Sequence, residues 1–109
     1  NPDAFGFFGY SYLVANKDKI KASSVDGVQP SLEGIQDYSY PIARPLFFYV
    51  KKAHVGVIPG IKEFLKEFTS KKAMSNRGYL AKIGLVPLAS DKYKATRTAA
   101  LDLVTISIN

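Results

Sequence analysis

Few side chains in this chain have the type and spacing for chemistry, and those few favour contact with an anion over catalysis. His54 is the single histidine, so neither a Ser-His-Asp triad nor a multi-histidine metal site can be assembled. Standing in a loop two residues after Lys52, it reads as ordinary surface. The carboxylates Asp3, Asp18, Asp26, Glu33, Asp37, Glu63, Glu67, Asp91 and Asp102 show no close metal-ligand spacing. No metal, cofactor or enzymatic activity is expected from them, although paired catalytic carboxylates need not be neighbours in sequence. Cysteine is absent, which excludes disulfides, thiolate metal sites and a cysteine nucleophile but assigns no compartment.

Anion contact has two candidates. Gly6-Phe7-Phe8-Gly9-Tyr10-Ser11 is the nearest approach to a glycine-rich turn feeding a helix N-terminus, where backbone N–H groups converge on a phosphate. It lacks the Lys-Ser/Thr ending of a nucleotide loop, so its glycines read first as a way to pack strand and helix closely. Arg44 could meet an anion bidentately, but between Pro41 and Pro45 it reads first as an orienting contact. Nucleic acid is not an expected partner. Phe47, Phe48, Phe64 and Phe68 fall in apolar patterns that need burial, and Lys17, Lys19, Lys21, Lys51, Lys52, Lys71 and Lys72 belong to different elements.

The elements that must position these residues alternate in type. Ala4–Phe8 reads as a buried strand and Gly9 as a break, after which Tyr10, Leu13 and Val14 share a helical face. One long strand through Val14 is the alternative, since Phe8, Tyr10, Tyr12 and Val14 also alternate. Asn16–Lys19 is a turn and Ile20–Val25 a second strand. Asp26-Gly27 then signals a tight turn, Ser31 is placed to cap a short helix, and Glu33 carries charge into its positive first turn. Pro41 and Pro45 push Tyr40 and Arg44 out of the α region, which predicts an extended crossing between them. Leu46-Phe47-Phe48-Tyr49-Val50 follows as a continuous apolar run suited to a strand covered on both faces, and Lys51-Lys52 ends it at water.

Past the His54–Ile58 loop, Pro59 suits a first helical position, and Ile61, Phe64, Leu65 and Phe68 fall at i, i+3, i+4 and i+7. Ser70 predicts the cap of a further helix through Ile83, closed by Gly84 in the left-handed conformation with Leu85 packing back. Gly84–Leu88 is expected to leave extended. Ser90-Asp91 opens a last helix carrying Tyr93, Ala100, Leu103 and Val104. Val104, Ile106 and Ile108 alternate as a strand would, so this helix either stops near Leu103 or packing holds the β-branched residues in it.

Length and composition bound the rest. At 109 residues, 47% apolar and 13% aromatic, the chain fits one small folded domain. No apolar stretch approaches the roughly 20 residues of a membrane span. The aromatic opening Phe5–Val14 lacks the basic n-region and cleavage site of a signal peptide, so an exported form is expected to have lost its leader. The net charge of +6 favours anionic partners in its mean field, but the lysines are scattered as on many basic proteins. Alternating elements argue an α/β fold with a few mainly parallel strands flanked by helices. Three strands of that kind leave open edges, which reads as a fragment or as a module that self-associates through them.

The run Asp26, Gly27, Pro30, Ser31, Glu33, Ile35, Tyr40, Pro41, Arg44, Pro45 and Leu46 resembles a segment of the phosphate-binding subunit of ABC-type phosphate importers that leads the chain from one lobe to the other. NPDAFGFFGYSYL near the start and Ile83-Gly84-Leu85-Val86-Pro87-Leu88 are similar to further motifs of that family, in the same order. The resemblance covers roughly residues 1–88. It implies a two-lobed, type II periplasmic-binding-protein-like fold that closes on inorganic phosphate, with a membrane ABC permease as partner and a periplasmic or extracytoplasmic location. It further implies a C-terminal portion: residues 1–40 as the end of the second lobe, 41–52 as crossover hinge and returning strand, and 53–109 as the C-terminal helical part of the first lobe. The family's ligand motifs, a Thr/Ser loop, an Asp and R-S-x-x-S-G-T, do not occur here. No ligand-binding residue is therefore carried over.

Overall fold

The computed structural model describes residues 1–107, and its regular elements are six helices and one 3-10 turn. They run as α1 (Tyr10–Ala15), α2 (Leu32–Gln36), the 3-10 turn Lys52–His54, α3 (Ile61–Phe68), α4 (Lys71–Met74), α5 (Tyr79–Lys82) and α6 (Ser90–Leu101). The helices that pack on one another lie in the second half of the chain, α3 against α4 and α6, and α4 against α5. Leu65 of α3 and Ala73 of α4 are buried there, together with the polar Thr69 between them. Ala43 is the remaining buried apolar residue among the described ones.

The expected strands Ala4–Phe8, Ile20–Val25 and Leu46–Val50 are not formed among the described residues. Pairing is confined to isolated bridges, Val25 with Val28 and Val55 with Ile58. The physical reason is a missing neighbour. A strand exists by exchanging backbone hydrogen bonds with another about 4.8 Å away, and no described segment lies alongside these. Arg44–Val50 makes no backbone hydrogen bond at all among the described residues. Nor is the apolar run covered as expected, since Leu46 is 82% exposed, Phe47 69% and Tyr49 61%. Phe48 turns toward α3, its ring 5.3 Å from that of Phe64 and 5.0 Å from that of Phe68.

Turn and cap chemistry is followed closely. Asp26 and Gly27 both take positive φ (50° and 79°), and Val25 and Val28 exchange hydrogen bonds of 2.9 and 3.0 Å across them, the two-residue turn that Asp-Gly favours. Ser31 Oγ accepts the Gly34 N–H at 2.9 Å, and Ser70 Oγ accepts the Ala73 N–H at 3.2 Å. Gly84, with φ 98°, closes α5 in a Schellman motif: its N–H donates to the Ala81 carbonyl and the Leu85 N–H to that of Leu80. The end of α6 repeats this pattern with Leu103 in the left-handed position and the Val104 N–H donating to Ala99. That helix stops at Leu101, so Val104 lies outside it, and Ile108 falls beyond the described residues.

Other boundaries differ from expectation. The helix expected from Ser70 to Ile83 is broken into α4 and α5 at Ser75–Gly78, where the Gly78 N–H turns back to the Ser75 carbonyl at 2.8 Å. Gly78 is buried so tightly that a Cβ there would run into the carbonyl of Ala73, a close approach only glycine allows. Pro59 stands in the turn before α3, whose N-cap is Gly60 in the left-handed region with φ 88°. Ala89, not Ser90, caps α6: the helix starts one residue earlier than the Ser90 cap would place it, with Ser90 already inside it.

Candidate functional site: the turn at Tyr40–Pro45

The Tyr40–Pro45 segment follows closely on α2. That helix is too short to persist alone, and the Ser31 cap with Glu33 in the first turn stabilises its start. Its end is unusual: Tyr38 holds φ 64°, a left-handed conformation at the position that most often takes glycine. Two hydrogen bonds fix it. Asp37 Oδ1 accepts the Ser39 N–H at 2.8 Å, and the Tyr40 N–H donates to the Gly34 carbonyl at 2.9 Å. The Ser39 backbone N–H, then the Ser39 hydroxyl, hold the Asp37 carboxyl below its ordinary value, helped by the charge of Lys92 and partly offset by desolvation.

From Tyr40 the chain makes a turn where an extended run was expected. The Ala43 N–H donates to the Tyr40 carbonyl at 3.0 Å with Pro41 and Ile42 at the corner, and proline suits the second position of such a turn because its ring presets φ. Arg44 Nη1 donates to the carbonyls of Ala43 at 2.7 Å and Pro41 at 3.0 Å, so this nitrogen braces the turn it follows. The buried Ala43 anchors the corner.

Two contacts tie this region to a second passage of chain more than 50 residues later. Gln36 Nε2 donates to the Pro87 carbonyl at 2.8 Å, and Lys92 Nζ stands 4.5 Å from the centre of the Tyr38 ring. Pro87 belongs to the Leu85–Ala89 run before α6, and Lys92 to the first turn of that helix. Sequence reasoning missed Gln36, Tyr38 and Lys92; only the Asp37-x-Ser39 turn pattern marks the place in the sequence, and it does not reveal the partner.

The other candidates lie elsewhere. His54 is half-buried beside Lys51 and Phe64 around an open cavity of about 420 Å³. The Gly6–Ser11 turn is largely exposed: the Phe8 ring covers Gly6 and stacks on Tyr12 at 4.9 Å, and Ser11 packs against Gly84. This turn and Arg44 therefore have separate partners and are not gathered into one anion site. Among the described residues no group of three His, Cys, Asp or Glu side chains could hold a metal ion, and no helix is long and apolar enough to cross a membrane.

A family model described as a PBP superfamily domain matches residues 3–72. Among curated proteins, the phosphate-binding protein PstS of Staphylococcus aureus strains USA300, COL and MRSA252 is 35% identical over 88 residues, covering 74% of this chain and 27% of the relative. The chain thus spans about a quarter of the length of the curated relatives it matches. No solved structure matches it. With the matched region running from the N-terminal turn through the Tyr40–Pro45 turn and α3, the chain belongs to the PBP superfamily.

Proposed function

We propose that this chain is the scaffold and hinge portion of a non-enzymatic receptor that binds inorganic phosphate outside the cytoplasmic membrane and hands it to a membrane ABC permease. The observation that carries the reading is the family match over residues 3–72 together with relatives named for phosphate binding. The surface supports it independently. The chain exposes 8692 Å², whereas a folded monomer of 12.0 kDa exposes about 6,000 Å². Its radius of gyration is 16.9 Å against about 13 Å for a compact domain of this length. Aromatic residues left that exposed are what a piece of a larger core presents, and on this reading Leu46–Val50 is the strand that re-enters the first lobe. Equilibrium dialysis of labelled phosphate against the complete polypeptide tests the reading: saturable uptake unaffected by excess neutral solute is expected, and no uptake, or equal uptake of neutral solutes, contradicts it.

A second reading, a module that self-associates on the same scaffold, is favoured by the unpaired backbone of Arg44–Val50. Antiparallel pairing of two copies centred on Phe47–Phe48 would set Arg44 opposite the Lys51 of the other copy, and like charges facing across a pair destabilise it. Light scattering on the eluted 109-residue chain separates the readings: a monomer weakens the second, a stable dimer favours it.

A further inference from the structure

We propose that Gln36, Tyr38 and Lys92 form a latch that ties the Tyr40–Pro45 crossing to the Leu85–Ala89 passage and limits how far the hinge opens. The proposal rests on the reading of Tyr40–Pro45 as the hinge of a two-lobed receptor. Its starting point is an outlier. Tyr38 sits in the left-handed region at φ 64°, where an aromatic residue is strained and glycine would be relaxed. Such strain persists only where surrounding contacts over-determine it, and here the ring lies under the ammonium of Lys92 at 4.5 Å. Glycine would close the helix but could not supply that ring.

Gln36 adds the directional part. Its side-chain amide donates to the Pro87 carbonyl at 2.8 Å across 51 positions of sequence. The two contacts start two residues apart, on the last residue of α2 and just past it, and end on Pro87 and on Lys92 of the first turn of α6. They bridge residues on both sides of the crossing, so any motion separating α2 from α6 must break both.

Asp37 lies between Gln36 and Tyr38, and Lys92 is also the cation whose charge acts on its carboxyl. Lys92 therefore faces the Tyr38 ring, with the Asp37 carboxylate close enough for its charge to act without a direct ion pair.

The test uses the complete receptor with inorganic phosphate as ligand and four variants: Gln36→Ala, Tyr38→Gly, Lys92→Ala and Lys92→Arg. The first three are expected to enlarge the radius of gyration of the unliganded receptor by small-angle scattering and to weaken phosphate binding at least threefold, because a wider range of open states must be given up on closing. Lys92→Arg keeps a cation over the ring and is expected to behave as wild type. Tyr38→Gly separates the latch from a purely structural role, since it relieves the left-handed strain and should melt no lower than wild type while still losing the latch. Unchanged scattering and unchanged affinity in the first three variants would overturn the latch. If wild type itself binds no phosphate, the receptor reading fails and scattering alone decides the latch.

Discussion

Arg97 reaches from α6 to the end of α3 and sets Nη1 2.6 Å from the Thr69 carbonyl oxygen and 3.1 Å from Thr69 Oγ1. The same carbonyl accepts the Tyr93 hydroxyl at 2.9 Å, and Thr69 Oγ1 donates back to the Leu65 carbonyl at 2.7 Å. Thr69 is buried at the C-cap of α3, where the helix leaves carbonyls unpaired and its dipole favours a cation. One arginine and one tyrosine from α6 thus close the end of α3 and fix how the two helices pack.

Arg97→Ala removes a charge-assisted bond from a buried carbonyl, and a loss of about 1.5–3 kcal/mol is expected. Tyr93→Phe keeps the ring and removes only the neutral donor, at about 0.5–1.5 kcal/mol. Urea unfolding of the complete receptor and its variants measures both. Because the two donors share one acceptor, the double variant should depart from additivity.

Gly78→Ala drives a Cβ into the Ala73 carbonyl at the break between α4 and α5, and a cost of about 1–3 kcal/mol follows from overpacking a site that cannot yield. Gly9→Ala is the control, as a Cβ there would meet nothing nearer than Ser11 Oγ at 3.8 Å. Thermal melts of the two variants should differ by several degrees, and equal melts would show that the Ser75–Gly78 turn relaxes freely.

Caps, tight turns and the one strongly amphipathic helix were legible in the sequence because each is decided within a few residues. Ser31, Ser70, Asp26-Gly27 and Gly84 act where their chemistry predicts, and Ile61, Leu65 and Phe68 turn one face of α3 inward. Strand pairing was not legible. Leu46–Val50 carries the composition of a buried strand, but a ladder needs a second segment that these residues do not encode. The break at Gly78 was hidden for a related reason: the long pattern from Ser70 to Ile83 is helical, and only the fold-back onto Ala73 interrupts it. Pro41 and Pro45 predicted an extended run where the chain instead turns, and the ties from Gln36 and Tyr38 to Pro87 and Lys92 depend on a packing no local rule contains.

Hydrogen exchange tests the missing ladder. On the proposed reading, the amides of Leu46–Val50 should be among the slowest to exchange in a complete receptor, because a strand paired inside a lobe opens only with it. In the isolated 109-residue chain they should exchange quickly, since none is hydrogen-bonded to the described backbone. Equal rates in both would mean that this run never acquires a strand partner.

Asp37 sets an acid limit on the end of α2. Its carboxyl titrates below the ordinary value because the charged form accepts the Ser39 N–H. The stabilisation is therefore full above the unfolded-state value of 3.8 and is lost as pH falls through the lower folded-state value. Asp37→Asn should flatten this part of the acid response, read as the chemical shift of the Ser39 amide between pH 5 and the acid transition.

Titration calorimetry with inorganic phosphate, run side by side on the complete receptor and on the 109-residue chain, tests the scaffold assignment most directly. Saturable binding of about one phosphate by the complete receptor, with little or none by the isolated chain, is the predicted result. Tight binding by the 109 residues alone would place the phosphate ligands within them and contradict the account.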